Sequence, residues 1–213
     1  MFKLQNFRFG YSESKNLFDS INLEIKDNEI TIISGANGTG KTSLLRILSG
    51  LRKDYQGSIT LAGSNFKQMQ ANEIAKHIIY QKQESGANIV ASTPAEDLGI
   101  WLHKYENKSD DMAQIIAALN KFEILNLINT PVWNLSGGQA KRVGLSALLL
   151  NYDKFWLLDE PSAGLDIKLQ KVLLEILEER KKSNLGAIIV SHRLDLFSSI
   201  ADNIFEIKDK KLQ

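Results

Sequence analysis

A run of glycines and polar residues near the start of the chain has the composition of a phosphate-binding loop. It reads Gly35-Ala36-Asn37-Gly38-Thr39-Gly40-Lys41-Thr42 and matches the pattern G-x-x-x-x-G-K-[S/T] at every fixed position. The glycines allow backbone N–H groups to turn toward an anion, and a helix that starts after the loop adds its own N–H groups and the positive end of its dipole. Lys41 is expected to bring positive charge to the outer phosphates, and the Thr42 hydroxyl is a ligand for Mg²⁺.

The residues on either side of this loop supply the structural context that the pattern requires. Residues 30–33 are apolar and predict a buried strand, and residues 44–48 repeat with the period of a helix. A glycine-rich turn with one solvated lysine is the alternative interpretation. The strand–loop–helix order disfavours it.

Further polar residues follow other predicted strands. Gln81 ends a strand at 77–80, Asp159 and Glu160 end an apolar strand at 155–158, and His192 comes just after a strand at 187–190. In an open α/β sheet, ligands bind at the edge formed by the carboxyl ends of the strands. At that edge, Asp159 is expected to hold Mg²⁺. Glu160 is expected to orient and deprotonate an attacking water, and His192 to bond the outer phosphate or that water. Taken alone, the carboxylate pair would indicate a solvated turn and the glutamine a turn former.

The order of the predicted elements indicates an α/β fold with a mostly parallel sheet flanked by helices. An opening strand from Phe2, a hairpin loop at 10–16 and a second strand at 17–25 predict an N-terminal antiparallel β subdomain. Residues 82–134 change character and predict a helical insertion, whose last short helix covers 123–128. Tyr11 lies at the tip of the early sheet, where its ring either stacks on an adenine or is a turn tyrosine. Position alone does not decide between the two.

Composition narrows the possible partners. The chain has 213 residues, 26 lysines and arginines, 25 aspartates and glutamates and no cysteine. A net charge of +1 gives no reason to expect a nucleic-acid or anionic-membrane surface. The sequence shows no signal peptide and no apolar run near the roughly 20 residues that span a bilayer. We therefore predict a cytoplasmic protein that reaches a membrane only through a partner.

The most specific sequence after the loop is Leu135-Ser136-Gly137-Gly138-Gln139. With the residues above, it resembles the nucleotide-binding domain of ATP-binding-cassette (ABC) transporters over essentially the whole chain. The remaining family motifs occur in the family order: Tyr11 as the adenine-stacking aromatic, residues 35–42 as Walker A, Gln81 as the Q-loop glutamine, residues 155–159 as Walker B, Glu160 as the catalytic glutamate, residues 162–166 as the D-loop and His192 as the switch histidine.

The resemblance implies a P-loop NTPase fold in a single domain, 1–213, with a RecA-like core lobe at 1–81 and 135–213 and a helical lobe at about 82–134. It implies ATP and Mg²⁺ as the bound groups and ATP hydrolysis as the reaction. The residues that it assigns are, for nucleotide binding, Tyr11, Asn37, Gly38, Thr39, Gly40, Lys41, Thr42 and Ser43; for catalysis, Glu160, His192 and Gln81; for the metal, Thr42, Gln81 and Asp159; and for contact with the ATP of a partner subunit, Ser136, Gly137, Gly138 and Gln139.

The resemblance also implies partners. Two ATP molecules are held between two head-to-tail ATPase subunits, which form a homodimer or a heterodimer, and transmembrane subunits receive the mechanical stroke on the cytoplasmic face of the cell membrane. Residues 88–99 look like the corresponding segment of energy-coupling-factor importers, which take up vitamins or transition-metal ions such as cobalt or nickel. The expected function is therefore uptake of such a substrate.

Other functions stay open at this point. An ABC exporter uses the same motifs. A soluble ABC-type ATPase acting on ribosomes or nucleic acid is disfavoured, because this chain has one cassette, a short insertion and a balanced charge. A scaffold that binds ATP without turnover is disfavoured by the presence of Glu160 and His192.

The insertion is expected to carry the contact with the membrane partner, in a groove near Gln81. Ile89 and Val90 follow the polar loop after that glutamine and are the best contact candidates. For Trp101, core packing and partner contact are equally compatible with the sequence.

Overall fold

The computed structural model describes residues 1–12, 15–84, 86–102 and 108–213. For residues 15 and 108–110 it describes the backbone and not the side chains. Residues 13 and 14 of the predicted hairpin loop and residue 85 of the polar loop at 82–88 lie outside the described part. The strands are β1 Phe2–Ser12, β2 Lys15–Ile25, β3 Ile30–Gly35, β4 Gln56–Leu61, β5 Ser64–Asn65, β6 Ile78–Gln81, β7 Phe155–Asp159, β8 Ala187–Val190, β9 Asn203–Lys208 and β10 Lys211–Leu212. The helices are α1 Lys41–Leu48, α2 Ala71–His77, α3 Pro94–Leu102, α4 Lys108–Lys121, α5 Gly137–Leu149, α6 Ile167–Lys182 and α7 Leu194–Phe197.

Two sheets organise these strands. The larger has the order β10-β9-β3-β8-β7-β6, and within it β3 pairs in parallel with β8 and β9, while β7 pairs in parallel with β8. The smaller has the order β2-β1-β4-β5 and its pairs are antiparallel. The predicted fold class, a mostly parallel sheet with helices and an N-terminal antiparallel subdomain, is confirmed.

The chain divides into two compact units. The first contains residues 1–80, 154–160 and 177–213, and the second contains residues 81–153 and 161–176. The lobes proposed from the sequence, 1–81 with 135–213 and 82–134, stay a prediction.

The first unit is built on a large apolar core in which both sheets take part. Phe2 packs edge-on against Phe66 and Phe155, which joins β1 to β7. Full burial of a large apolar side chain stabilises a fold by about 1.5–3 kcal/mol. The alternation in β1 is imperfect because its register with β2 shifts between Leu4 and Phe7, where Asn6 has a positive φ of 49°. The shift returns Phe7 to the buried face.

The second unit has its own apolar core where α3, α4 and α5 meet. Its buried members are Leu98, Leu102, Ile115, Leu119, Ile124, Val143 and Ala147. The helix predicted at 123–128 is wrong, because only the short 3-10 turn Leu125–Leu127 forms there. Glu123, with φ at 54°, turns the backbone out of the helical region after α4. In the described part of the chain, no helix is long and apolar enough to cross a membrane.

Arg180, near the end of α6, is fully buried in the first unit. Its guanidinium lies 3.7 Å from the Trp156 ring centroid, and Nη2 donates to the carbonyl oxygens of Lys154 and Gly186 at 2.9 and 3.0 Å. The side chain thereby ties the end of α6 to β7 and to the turn before β8.

We expect Arg180→Ala to lower the free energy of unfolding by about 3–5 kcal/mol, because it opens a cavity and removes the donors from two buried carbonyls. Urea unfolding followed by circular dichroism measures this change. Glu179→Ala, at an exposed position on the same helix, is the control and should change stability by less than about 0.5 kcal/mol. Equal stability of the two variants would contradict the structural role of Arg180.

Candidate functional site

The phosphate-type loop joins β3 to α1 in the first unit. Gly40, the residue before the helix, has φ at 107°, and a Cβ added there would lie 2.9 Å from Cζ of Phe18. Both the dihedral angle and the close approach therefore require glycine. Gly40 offers no side-chain cap, and the first turn of α1 contains no acidic residue. The N–H groups at the start of this helix thus suit an anion from outside the helix.

Lys41 lies across the loop. Its side chain is nearly buried, at 8% exposure, and Nζ donates to the carbonyl oxygens of Gly35 and Ala36 at 2.7 and 3.0 Å. A buried ammonium needs compensation by charge or hydrogen bonds, which the carbonyls supply in part. The chemistry of this donor set, one lysine and a helix N-terminus around a glycine loop, fits the phosphates of a nucleotide.

Tyr11, at the end of β1, is connected to this loop. Its hydroxyl and Ser43 Oγ are 2.9 Å apart, and its ring is half exposed. The Arg52 guanidinium lies 4.8 Å from the centre of the Tyr11 ring, and Arg52 Nε also contacts Asp54 Oδ1 at 2.8 Å. An exposed aromatic face next to a phosphate-type loop can stack on a base. Sequence reasoning missed Arg52, which no local pattern connects with Tyr11.

The register of the large sheet determines which other residues share an edge with the loop. Ile33 of β3 lies opposite Val190 of β8, and Val190 lies opposite Asp159 of β7. Since the three strands are parallel, the residues that follow them emerge at one edge. The predicted phosphate loop, Asp159 with Glu160, and the residues after Val190 therefore come together.

Asp159 is buried and has a partner that the sequence did not predict. The Tyr80 hydroxyl donates to Oδ2 of Asp159 at 3.2 Å. Burial, and after it the negative charge of Asp159, raises the pKa of the Tyr80 phenol well above its ordinary value. Tyr80 therefore stays protonated and can act as a donor to the carboxylate at any ordinary pH.

The residues at this edge fit a magnesium ion. The Thr42 hydroxyl on α1 and the Asp159 carboxylate on β7 offer oxygen atoms of the kind that Mg²⁺ takes as ligands, and these two elements contact each other. Mg²⁺ is usually bound by one or two carboxylates together with substrate phosphates. Among the described residues, no group of three or more acidic, histidine or cysteine side chains forms a separate metal site.

Glu160 has a constrained backbone and a constrained carboxylate. Its φ is 47°, in the left-handed region, and its N–H donates to the carbonyl of Val190 at 2.9 Å. Oε1 accepts from the His192 backbone N–H at 3.1 Å and lies 3.0 Å from His192 Nδ1, while Oε2 accepts from Ser191 Oγ at 3.2 Å. The predicted pair Glu160 and His192 is thus in direct contact. Ser191 was not predicted, although it stands next to His192 in the sequence.

Gln81 and the signature residues belong to the second unit. Gln81 is buried, and its side-chain amide lies so close to α5 that a Cβ on Gly144 would be 3.1 Å from it. Ser136 is the N-cap of α5: its Oγ accepts from Gln139 N–H at 3.3 Å, and the Gln139 side chain accepts from Ser136 N–H at 2.7 Å. This capping box pairs the N–H groups of Ser136 and Gln139 at a helix N-terminus that begins with Gly137 and Gly138.

Comparison with known proteins identifies the family of the chain. A model of the ABC transporter family matches residues 18–163, which is more than half of the chain. The petrobactin import ATP-binding protein FpuD of Bacillus anthracis is 33% identical over 203 residues, which cover 92% of this chain and 74% of that protein. The energy-coupling factor transporter ATP-binding protein EcfA2 of Clostridium perfringens (strain SM101 / Type A) is 27% identical over 214 residues, which cover 99% and 75% of the two chains.

Solved structures agree in fold. The dimeric post-hydrolysis state of the ATP-binding cassette MJ0796, bound to ADP and Pi, superposes with a TM-score of 0.89 at 23% identity, covering 100% of this chain and 97% of the other. The structure of cbiO1 from Clostridium perfringens, described as part of the ABC transporter complex cbiONQ, superposes with a TM-score of 0.78 at 26% identity, covering 100% and 86%. Together with the family match, these findings show that the chain belongs to the ABC transporter family, as an ATP-binding subunit that is an ATPase.

Proposed function

We propose that this ATPase drives the import of a vitamin or a transition-metal ion through transmembrane subunits, as one half of a head-to-tail dimer on the cytoplasmic face of the membrane. The observation that carries the catalytic part is the shared edge of β3, β8 and β7. Asp159 ends one of three strands that are in lateral register there, and the phosphate loop, Glu160 and His192 come at or just after the ends of these strands.

In this proposal the first unit binds the nucleotide. Tyr11 stacks on the adenine, and Lys41 meets the outer phosphates. The hydrogen bond between Tyr11 and Ser43 would fix the distance between the base and the phosphates, since it joins the aromatic ring to α1. The full binding set is Tyr11, Asn37, Gly38, Thr39, Gly40, Lys41, Thr42 and Ser43.

Thr42, Asp159 and Gln81 are the proposed magnesium ligands. When bound, Mg²⁺ would neutralise charge that develops on the phosphate oxygens. Tyr80 would hold the Asp159 carboxylate in place through its hydroxyl. A side chain binds a metal more tightly when a hydrogen bond from another residue fixes its orientation.

Glu160 is the proposed general base. A water oxygen attacks the γ-phosphorus, the bond from phosphorus to the ADP oxygen breaks, and the proton of the water passes to the Glu160 carboxylate. His192, which is largely exposed and within 3.0 Å of Glu160, is available to bond the γ-phosphate or the water.

The second unit supplies the proposed contact with the partner ATPase. Ser136, Gly137, Gly138 and Gln139 form the N-terminus of α5, and this terminus would contact the ATP that the other subunit binds through the N–H groups of Gly137 and Gly138. The Gln139 side chain is engaged in the capping box, so we assign it to shaping the helix N-terminus. Either a second copy of this chain or a related subunit can fill the partner position.

The relatives support the direction and the class of transport. FpuD is named for petrobactin import, which supports uptake. EcfA2 is named for an energy-coupling factor transporter, which supports the resemblance of residues 88–99 to that group. Nothing among these relatives favours action on ribosomes or nucleic acid.

The loop that follows Gln81 is the proposed site for the membrane partner. Val90 is 79% exposed, whereas Ile89 and Trp101 are half-buried against the core of the second unit. Val90 is therefore the stronger contact candidate. The buried Asp97 carboxylate accepts from the N–H groups of Val90 and Ala91 at 2.7 and 3.3 Å, which holds the loop in position.

We expect Glu160→Gln to bind ATP like the parent and to lose turnover by about 10²–10⁴-fold, because the amide keeps the shape but cannot accept the proton. Phosphate release in steady state, with ATP affinity measured separately, tests this. Glu24→Gln, an exposed exchange of the same kind on β2, should retain the parental rate. A Glu160→Gln enzyme that turns over at that rate would remove Glu160 from the mechanism.

We expect Val90→Asp to leave folding and basal ATP hydrolysis intact and to reduce binding to membranes of the source cell, because a charge replaces an apolar contact. Co-sedimentation of the purified protein with those membranes is the measurement. Met112→Asp changes another exposed apolar side chain of the same unit and is the matched control. If both variants sediment like the parent, the contact lies elsewhere.

A further inference from the structure

Ser191 occupies an unusual position next to the proposed general base. The residue follows β8 directly and has no exposed surface. Its Oγ takes part in two hydrogen bonds: it accepts from the Arg193 backbone N–H at 3.0 Å and donates to Glu160 Oε2 at 3.2 Å. A buried hydroxyl with two defined partners has a fixed orientation.

The direction of both bonds follows from the chemistry of the groups. A backbone N–H can only donate, so the Ser191 oxygen must use a lone pair toward Arg193. The single hydroxyl hydrogen is then left for the Glu160 carboxylate, which is an acceptor when ionised. The turn that Ser191 forms with Arg193 thus aims its hydroxyl hydrogen at Oε2.

Backbone groups of the residues next to Ser191 also constrain Glu160. The His192 N–H donates to the other carboxylate oxygen, Oε1, and the Val190 carbonyl accepts from the Glu160 N–H. Val190, at the end of β8, therefore holds the Glu160 backbone, and the next two residues, Ser191 and His192, hold its two carboxylate oxygens.

The strained backbone conformation of Glu160 explains why these hydrogen bonds are needed. A φ of 47° costs a non-glycine residue about 1 kcal/mol or more, and such conformations persist where the surroundings over-determine them. Without a donor at Oε2, rotation of the side chain about its terminal torsion, which is soft and broad, would be less restricted.

We infer that Ser191 is a positioning residue for ATP hydrolysis, and that its hydroxyl keeps the Glu160 carboxylate in the orientation from which it receives the proton of the attacking water. The inference rests on the proposed role of Glu160 as the general base. Ser191 does not touch the nucleotide in this account, so it contributes to turnover and not to ATP binding.

The test is steady-state ATP hydrolysis by the full chain carrying Ser191→Ala. A hydrogen bond to a charged group contributes about 1.5–3 kcal/mol, so kcat should fall by roughly 10–150-fold while KM for ATP and directly measured ATP affinity stay within about twofold. If the alanine variant is unstable, Ser191→Cys is the second variant to measure. It approximately keeps the side-chain volume but offers only a weak donor, so kcat should fall to a similar extent.

A double variant separates positioning from a general structural effect. In the Glu160→Gln background the base is already absent, so adding Ser191→Ala should not lower the residual rate further. Two effects that act through one group are not additive. The same loss of kcat in both backgrounds, or a Ser191→Ala enzyme and a Ser191→Cys enzyme with parental kcat, would overturn the inference. Retention of the parental rate by Glu160→Gln alone would instead contradict the proposed function.

Discussion

The lateral register of three parallel strands is the constraint on which the chemistry of this protein depends. Ile33, Val190 and Asp159 lie side by side on β3, β8 and β7. Because hydrogen bonding fixes this register, chain segments far apart in sequence emerge at the same height on one edge of the sheet. Both faces of these strands are buried, so a shift by one residue would force every side chain into a differently shaped part of the packed core.

That alignment positions groups which no local interaction could bring together. Asp159 receives a hydrogen bond from Tyr80, and Glu160 receives hydrogen bonds from Ser191 and His192. The left-handed backbone at Glu160 is the local cost of directing its carboxylate toward the residues that follow β8. The burial of the apolar strands stabilises the fold and thereby offsets the backbone strain at Glu160.

The sequence predicted the features that depend on short patterns. The phosphate loop and the strand ends at Asp159 and His192 each follow from residue types at fixed spacing. The helix at 123–128 was predicted from composition, but the backbone conformation of Glu123 limits it to a short turn. Propensity is a weak guide for segments of this length.

Features that depend on packing between distant segments could not be predicted. The bond from Tyr80 to Asp159 and the stacking of Arg52 on Tyr11 join residues with no common motif. The burial of Ile89, in contrast to the exposure of Val90, depends on how the helices of the second unit pack. These side chains refine the site, whereas the motifs define its chemistry.

The central claim is that the residues at this sheet edge hold and hydrolyse ATP. The most direct measurement is a crystal structure of the Glu160→Gln variant with ATP and Mg²⁺. We predict the γ-phosphate within hydrogen-bond distance of Lys41 Nζ, about 2.7–3.2 Å, the metal bound by Thr42 and Asp159, and residue 160 facing the γ-phosphate. An ATP molecule bound away from the loop at 35–42, or a residue 160 that faces away from its γ-phosphate, would contradict the account.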